Sequence, residues 1–320
     1  MSPTTNGLND YRYRIYESLL QRPRLRPHHL SRDLRLRPSS VSKIMKEAFK
    51  LGYIGGPQCR KKSYRNLREY VYIIRSPDPV DQYLRFREDS RIVYHTKMIG
   101  FSDIWAVTNE DIHIDGDIVV KGPRSDYYMS FALNCSWIDS LQTANDMVRN
   151  FDPSSYVPRK YIQNHWNETI EWDNTDEILF QEMKYDLRNP LEPVMRKYKI
   201  PRTRINKWLK RLPECCTIVA SYYPETITAY DPYLFMFETE YEDFIVELFS
   251  QLPVSTFFFK VADKLFVYFH VKKELSRTTG KDAIELDKLR IPVLVEELYD
   301  RGIVTNDSYA IAEYFWGKDL

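Results

Sequence analysis

Residues 26–64 read RPHHLSRDLRLRPSSVSKIMKEAFKLGYIGGPQCRKKSY, and the pattern in them organises the rest of the chain. Pro38 suits a first helical position, where its missing N–H would have no partner in any case. From there Val41, Ile44, Met45, Ala48 and Phe49 recur at i, i+3, i+4, i+7 and i+8, which lays an apolar stripe along one face of a helix. Ser39, Ser40, Ser42, Lys43, Lys46 and Lys50 fall on or near the other face. Leu30 and Leu34 give the preceding helix its stripe, and Leu36 closes the turn between the two. The unit is a helix-turn-helix, whose second helix can enter a DNA major groove. Gly52 ends it and Ile54 returns to the core. Arg60, Lys61 and Lys62 then follow where a wing or phosphate-contacting arm would lie.

Charge is segregated along the chain. Residues 1–70 hold 16 Lys and Arg against 5 Asp and Glu, while the remaining residues hold 30 against 40, inside a formal net charge of only +1. A basic end on an acidic body is the electrostatic footprint of a phosphate-binding surface. The alternative is a basic helical domain that docks on an acidic protein. At 320 residues the chain can build several compact units. It contains no apolar run of about 18 residues, so no membrane span is expected, and MSPTTNGLND lacks the regions of a signal peptide. Cysteines 59, 135, 215 and 216 show no metal-ligand spacing, and neighbouring cysteines bridge each other only under strain. A reducing, cytoplasmic setting is expected, with no metal and no cofactor.

Residues 9–22 form a bracing helix through Tyr11, Ile15 and Leu19. After Tyr64 the period changes. Glu69–Ile74 reads as a buried strand, Pro79–Phe86 as a short helix, and Arg91–Met98 and Ile104–Val107 as two strands. Extended pieces around Ile118–Val120 and Tyr127–Phe131 follow, and a helix from Trp137 to Phe151 closes the unit. Residues 152–174 hold no sustained period and read as a linker or an ordered connecting arm.

Then the pattern recurs. A shift of 164 positions pairs Ile15 with Leu179, Leu19 with Met183, Leu30 with Val194, Val41 with Ile205 and Ile44 with Trp208. It continues through Val71 and Phe235, Leu84 and Leu248, Tyr94 and Phe258, Ile104 and Tyr268. The expected fold is α+β, a tandem repeat of two winged-helix or helix-turn-helix domains alternating with two ferredoxin-like α+β domains. Its expected boundaries are 1–66, 67–151, a linker at 152–174, 175–228 and 229–320. The second copy finishes with a helix from Pro292 to about Arg301 and a strand near Tyr309–Phe315.

The second helix-turn-helix has eight Lys or Arg and no acid between Arg196 and Arg211. Ile205, Trp208, Leu209 and Leu212 make its inner stripe, which leaves Arg202, Thr203, Arg204, Asn206, Lys207 and Lys210 as outward candidates for DNA contact. Arg and Asn can bind guanine and adenine edges bidentately. Its first helix is acidic, Pro213 stands where a longer helix would continue, and TIVASYYPETI lacks the basic cluster. A domain kept only for packing is the competing reading.

The pieces resemble the Lrp/AsnC (feast/famine) family of transcription regulators. The carrying features are LSRDLRLRPSSVSKIMKEAFKLGYI, the segment NLREYVYII and the α+β domain after it. The resemblance implies a sequence-specific regulator of double-stranded DNA, not an enzyme, modulated by a small-molecule effector and working as a homodimer or a pseudo-symmetric monomer. In that family a Gly-x-x-Asp turn lies near the effector. Gly100 and Asp103 in MIGFSDIWAV match it, or simply make a tight turn. Base readout falls to Ser39, Ser40, Ser42, Lys43 and Lys46, and phosphate contact to Arg60, Lys61 and Lys62. Some relatives of this layout are haem-biosynthesis decarboxylases, which makes an enzyme the second reading. His95, His113, His165 and His270 are then the acid–base candidates, with Asp103, Asp126 and Arg124 near them. A non-specific DNA-architectural protein is the third.

Overall fold

Proline at one end and glycine just past the other limit the helix that the sequence marks. The computed structural model describes residues 5–273 and 291–312, and in it α3 spans Pro38–Leu51. Gly52 takes a left-handed φ of 76° and returns its N–H to Ala48 O and Phe49 O. Val41, Ile44, Met45 and Ala48 are buried. They pack against α1 (Thr5–Gln21), which buries Ile15, Tyr16 and Leu19, and α2 (Pro27–Asp33), which buries Leu30. A second trio, α6 (Asn174–Met183), α7 (Leu191–Tyr198) and α8 (Arg202–Cys215), repeats the arrangement around Ile205, Trp208 and Leu212. Pro213 does not cut α8 short. It sits in the last turn, where it forfeits one hydrogen bond, and α8 matches α3 at 14 residues.

The strands that follow each trio pair with each other. β1 (Ile54–Lys61) runs antiparallel to β7 (Cys216–Tyr222), with Ile54 opposite Tyr222 and Lys61 opposite Cys216. A bulge falls between Gly55 and Gln58. Gly56 there has φ +78°, and a Cβ on it would sit 2.9 Å from Val219 O, so only glycine fits. The segment expected to be a basic arm is therefore, as far as Lys61, a paired strand. Met1–Lys61 and Ile170–Thr228 together make one compact unit.

Lys62–Thr169 and Ala229–Leu320 make the other. Its first stretch supplies β2 (Tyr70–Arg75), α4 (Pro79–Glu88), β3 (Ile92–Gly100), β4 (Ile104–Thr108), β5 (Asp117–Pro123), β6 (Tyr128–Met129) and α5 (Trp137–Asn150). Its second supplies β8 (Tyr230–Glu238), α9 (Glu242–Phe249), β9 (Phe257–Val261), β10 (Lys264–Lys272), α10 (Ile291–Asp300) and β11 (Asn306–Ala312). Residues 313–315 of the expected last strand lie outside the described residues. The strands join in the order β5-β2-β4-β3-β11-β8-β10-β9-β6. Each four-stranded half thus places its fourth, first, third and second strands side by side, the ferredoxin-like order. The two halves are seamed where β3 meets β11, with Gly100 opposite Ala310.

The far ends of the two halves also meet, through a bridge from Arg124, just past β5, to Val261 of β9. One core is shared between the halves: Val71, Ile73, Trp105 and Val107 from the first, Leu234, Met236, Phe259 and Phe266 from the second. On the outside of the first half, α4 and the 109–116 loop cover Tyr72, Ile74 and Ile104 with Phe86, Ile112 and Ile114. The second half has two helices there, over the stacked rings of Phe235, Phe237 and Phe269. α5 was expected to close the first sheet, and it packs instead on α9 and α10. The reason is β6, which carries the chain to the edge of β9 before the helix starts. Each residue pair quoted at the 164 offset falls in like elements: α1 and α6, α2 and α7, α3 and α8, β2 and β8, α4 and α9, β3 and β9, β4 and β10.

Candidate functional site

The connecting arm at 152–174 is ordered by polar contacts to buried acids. Asp243 accepts the N–H groups of Arg159, Lys160 and Tyr161 at 2.6, 2.8 and 3.0 Å. That nest accounts for the left-handed φ of 60° at Lys160. Farther along, Trp166 Nε1 donates to Arg124 O at 3.0 Å. Arg124 is fully buried, and its Nε donates to Glu69 Oε2 at 2.9 Å. A buried cation of this kind must be paired.

Beside that pair lies Asp126. Its Oδ1 accepts from the N–H of Ser63 at 2.7 Å and from Ser63 Oγ at 2.8 Å. Its Oδ2 stands 3.0 Å from His165 Nδ1, near enough for an ion pair though out of line for a hydrogen bond. His165 N–H donates to Ser63 Oγ at 3.2 Å, and the imidazole leans on Tyr64 with 4.4 Å between ring centres. The His165 side chain keeps 16% of its surface, against 9% for Asp126. Since Ser63 gives its proton to a carboxylate and not to the imidazole, this is no acyl-transfer triad. A partly accessible imidazole beside a buried carboxylate is suited to proton transfer.

The other sequence candidates are apart from it. His95 is buried against Tyr83 and Phe86, and burial, aided by Arg87, lowers its pKa. His113 is exposed, 3.5 Å from Asp115. His270 is enclosed, and burial pulls its pKa down to about 3. Asp103 accepts the N–H of Ser76 at 2.9 Å. Gly100 has φ +150°, and a Cβ on it would stand 2.4 Å from Tyr309 O. These last two residues are explained by the turn and the seam they build. Among the described residues no group of three or more His, Cys, Asp or Glu could hold a metal ion. No described helix is long and apolar enough to cross a membrane. Sequence reading missed Ser63 and Tyr64, because the cluster draws on stretches separated by some 60 and 40 positions and only the fold unites them.

The candidates for DNA contact divide into two groups. Ser39, Ser40, Lys43 and Lys46 are exposed and Ser42 half-buried, as are Arg202, Thr203, Asn206, Lys207 and Lys210 exposed with Arg204 half-buried. Several cations are spent internally. Lys61 meets Glu177 at 2.7 Å and lies over the rings of Phe180 and Trp172. Burial opposes ionisation of Glu177, but Lys61, Gln181 and Trp172 together outweigh it and hold the carboxyl below its ordinary range. Arg60 donates to Gln58 Oε1 at 2.8 Å and to the Cys59 carbonyl at 3.0 Å. Arg204 binds Asp173 and Asp176 at 2.8 and 2.7 Å. Lys62 is half-buried at the start of the second unit.

No family profile matches the chain, and no curated protein matches it in sequence. Two solved structures do. One is the siroheme decarboxylase NirDL, at TM-score 0.48 and 9% identity. The other is NirDL in co-complex with an iron-uroporphyrin III analogue, at TM-score 0.45 and 9% identity. Each comparison covers 95% of this chain and 91% of the other. The likeness is coarse. Against two expectations, a DNA-binding transcription regulator and a chain that is not an enzyme, both matched structures are of an enzyme. One of the two holds a porphyrin analogue, not DNA. The basic surplus does not single out DNA, because a positive field concentrates anions of every kind, carboxylates as well as phosphates. Lys61 and Arg204 are paired internally with carboxylates, and Arg60 is held by neutral oxygens.

Proposed function

We propose that the chain is an enzyme of the Lrp-like decarboxylase type, acting on a carboxylated tetrapyrrole, with His165 as its proton donor and Asp126 as the residue that positions it. The observation that supports this is the 3.0 Å approach of a partly accessible imidazole to a buried carboxylate. Decarboxylation breaks a C–C bond, releases carbon dioxide and leaves the electron pair on carbon, which must then be protonated. A histidine whose Nδ1 faces Asp126 can deliver that proton through Nε2, and the carboxylate stabilises the charged ring. Arg65, exposed just after Ser63 and Tyr64 in the chain, offers counter-charge to substrate carboxylates.

Siroheme mixed with the purified chain without oxygen should lose carbon dioxide, detected as lighter tetrapyrroles by mass spectrometry. His165→Gln should slow turnover about 100-fold or more while the far-ultraviolet dichroism is unchanged. Asp126→Asn should slow it less and shift the pH profile. No product, together with no change in the tetrapyrrole absorption band on mixing, would falsify the proposal.

We also infer that the two halves descend from one duplicated unit, helix-turn-helix plus ferredoxin-like domain, with the boundaries given above. The support is the placing of each 164-offset pair in like elements. The halves have since diverged. A helix stands between β10 and β11 where only the 109–116 loop stands between β4 and β5. A cytoplasmic site of action accords with the four unbridged cysteines.

A further inference from the structure

A cavity of about 350 Å³ opens between α10 and the outer face of the second half-sheet, lined by Val295, Glu296 and Tyr299 from the helix and Phe235, Asp307 and Tyr309 from the strands. Strand alternation explains who faces it. Tyr309 stands opposite Phe235 and Asp307 opposite Phe237, so the side chains of β11 that point outward here are an aromatic ring and a carboxylate. The Phe235 and Tyr309 rings stack 5.3 Å apart and form the floor. Asp307 is half-buried and Glu296 exposed. Neither acid meets a cation or a hydrogen-bond donor among the described residues.

We infer that this cavity binds an organic ammonium ion with an apolar stem, of which an aliphatic diamine is the simplest case. None of its lining residues belongs to the Asp126–His165 cluster, so the inference stands apart from the decarboxylase reading. Two carboxylates without a base among the lining residues repel anions, and a neutral apolar guest would leave them desolvated and uncompensated. A small metal ion would gain nothing from three aromatic faces. An alkylammonium gains from each part: charge against Glu296 and Asp307, cation–π attraction to tyrosine, and methylene contact with Phe235 and Val295. The volume lies at the small end of ligand pockets. Burial raises the pKa of Asp307, a penalty that a bound ammonium relieves.

Calorimetric titration of the full chain with putrescine should give one saturable site. Asp307→Asn and Glu296→Gln should each weaken it about tenfold, and Tyr309→Leu should weaken it also. Affinity should fall on acidification as Asp307 takes up its proton. The neutral diol of the same length should give no heat. The inference is overturned by absence of binding at millimolar putrescine, by equal affinity in the Asp307→Asn, Glu296→Gln double variant, by equal binding of the diol, or by displacement of putrescine by magnesium at equal concentration.

Discussion

His270 sits on β10 with 4% of its surface exposed, and its pKa is pulled down from 6.5 to about 3 by burial. The unfolded chain binds this proton once pH falls below 6.5, while the folded chain refuses it until about pH 3. The contribution to stability is therefore complete above pH 6.5 and is lost on the way down, at about 1.4 kcal/mol per pH unit. His270→Leu should flatten the fall of urea-measured stability across that window; an unaltered slope would remove His270 as its source. Gly100 gives a second test at this scale. A Cβ there would meet Tyr309 O at 2.4 Å and the Ala310 Cα at 2.6 Å, both backbone atoms that cannot step aside. Gly100→Ala should cost about 3 kcal/mol in denaturant titration, with amide exchange quickened at Ile99 and Ile311. A stability loss within error would show that the seam yields easily.

At the scale of elements, α6 is held by its first turn more than by its length. Asp173 accepts from the Asp176 N–H at 2.8 Å, Asp176 accepts in return from the Asp173 N–H at 3.2 Å, and Arg204 and Arg211 converge on Asp176. With 1% exposure, Asp176 leaves two cations poorly matched if it is removed. Asp176→Ala should lower stability by about 4 kcal/mol, read by guanidinium unfolding. A loss below about 1 kcal/mol would mean the network behaves as an exposed one. The helices were legible in the sequence because their signals are local: Pro38 and Gly52 punctuate α3, and the spacing from Val41 to Ala48 fixes its buried face. Strand partners were not. Nothing in IGGPQCRK announces that it pairs with CTIVASY some 160 positions later, so Arg60 and Lys61 looked like a solvated arm. The landing place of α5 was hidden for the same reason, since β6 is only two residues long.

For the molecule as a whole, what the sequence made visible was the charge surplus and the 164-residue recurrence, both sums over many positions. The candidate proton-transfer site was half visible. Asp126 and His165 were named singly, but no spacing rule joins residues brought together by a strand end and an irregular arm. Each compact unit takes a stretch from both halves of the chain. Residues 1–169 and 170–320, expressed separately, should therefore show no cooperative thermal transition and should copurify when coexpressed. Sharp unfolding of either piece alone would show that the halves are self-sufficient.

The β1–β7 ribbon carries that division into the order of synthesis. When the first three helices have left the ribosome, the strand after them has no neighbour, and more than 150 further residues must be translated before Cys216–Tyr222 emerges to accept it. During that interval an unpaired edge beginning at Ile54 is open to foreign strands. The glycines and proline at 55–57 and the Arg60-Lys61-Lys62 run make it a poor template for them. The features that sequence reading first took for a DNA-facing arm thus serve, early in the protein's life, to keep a waiting strand single.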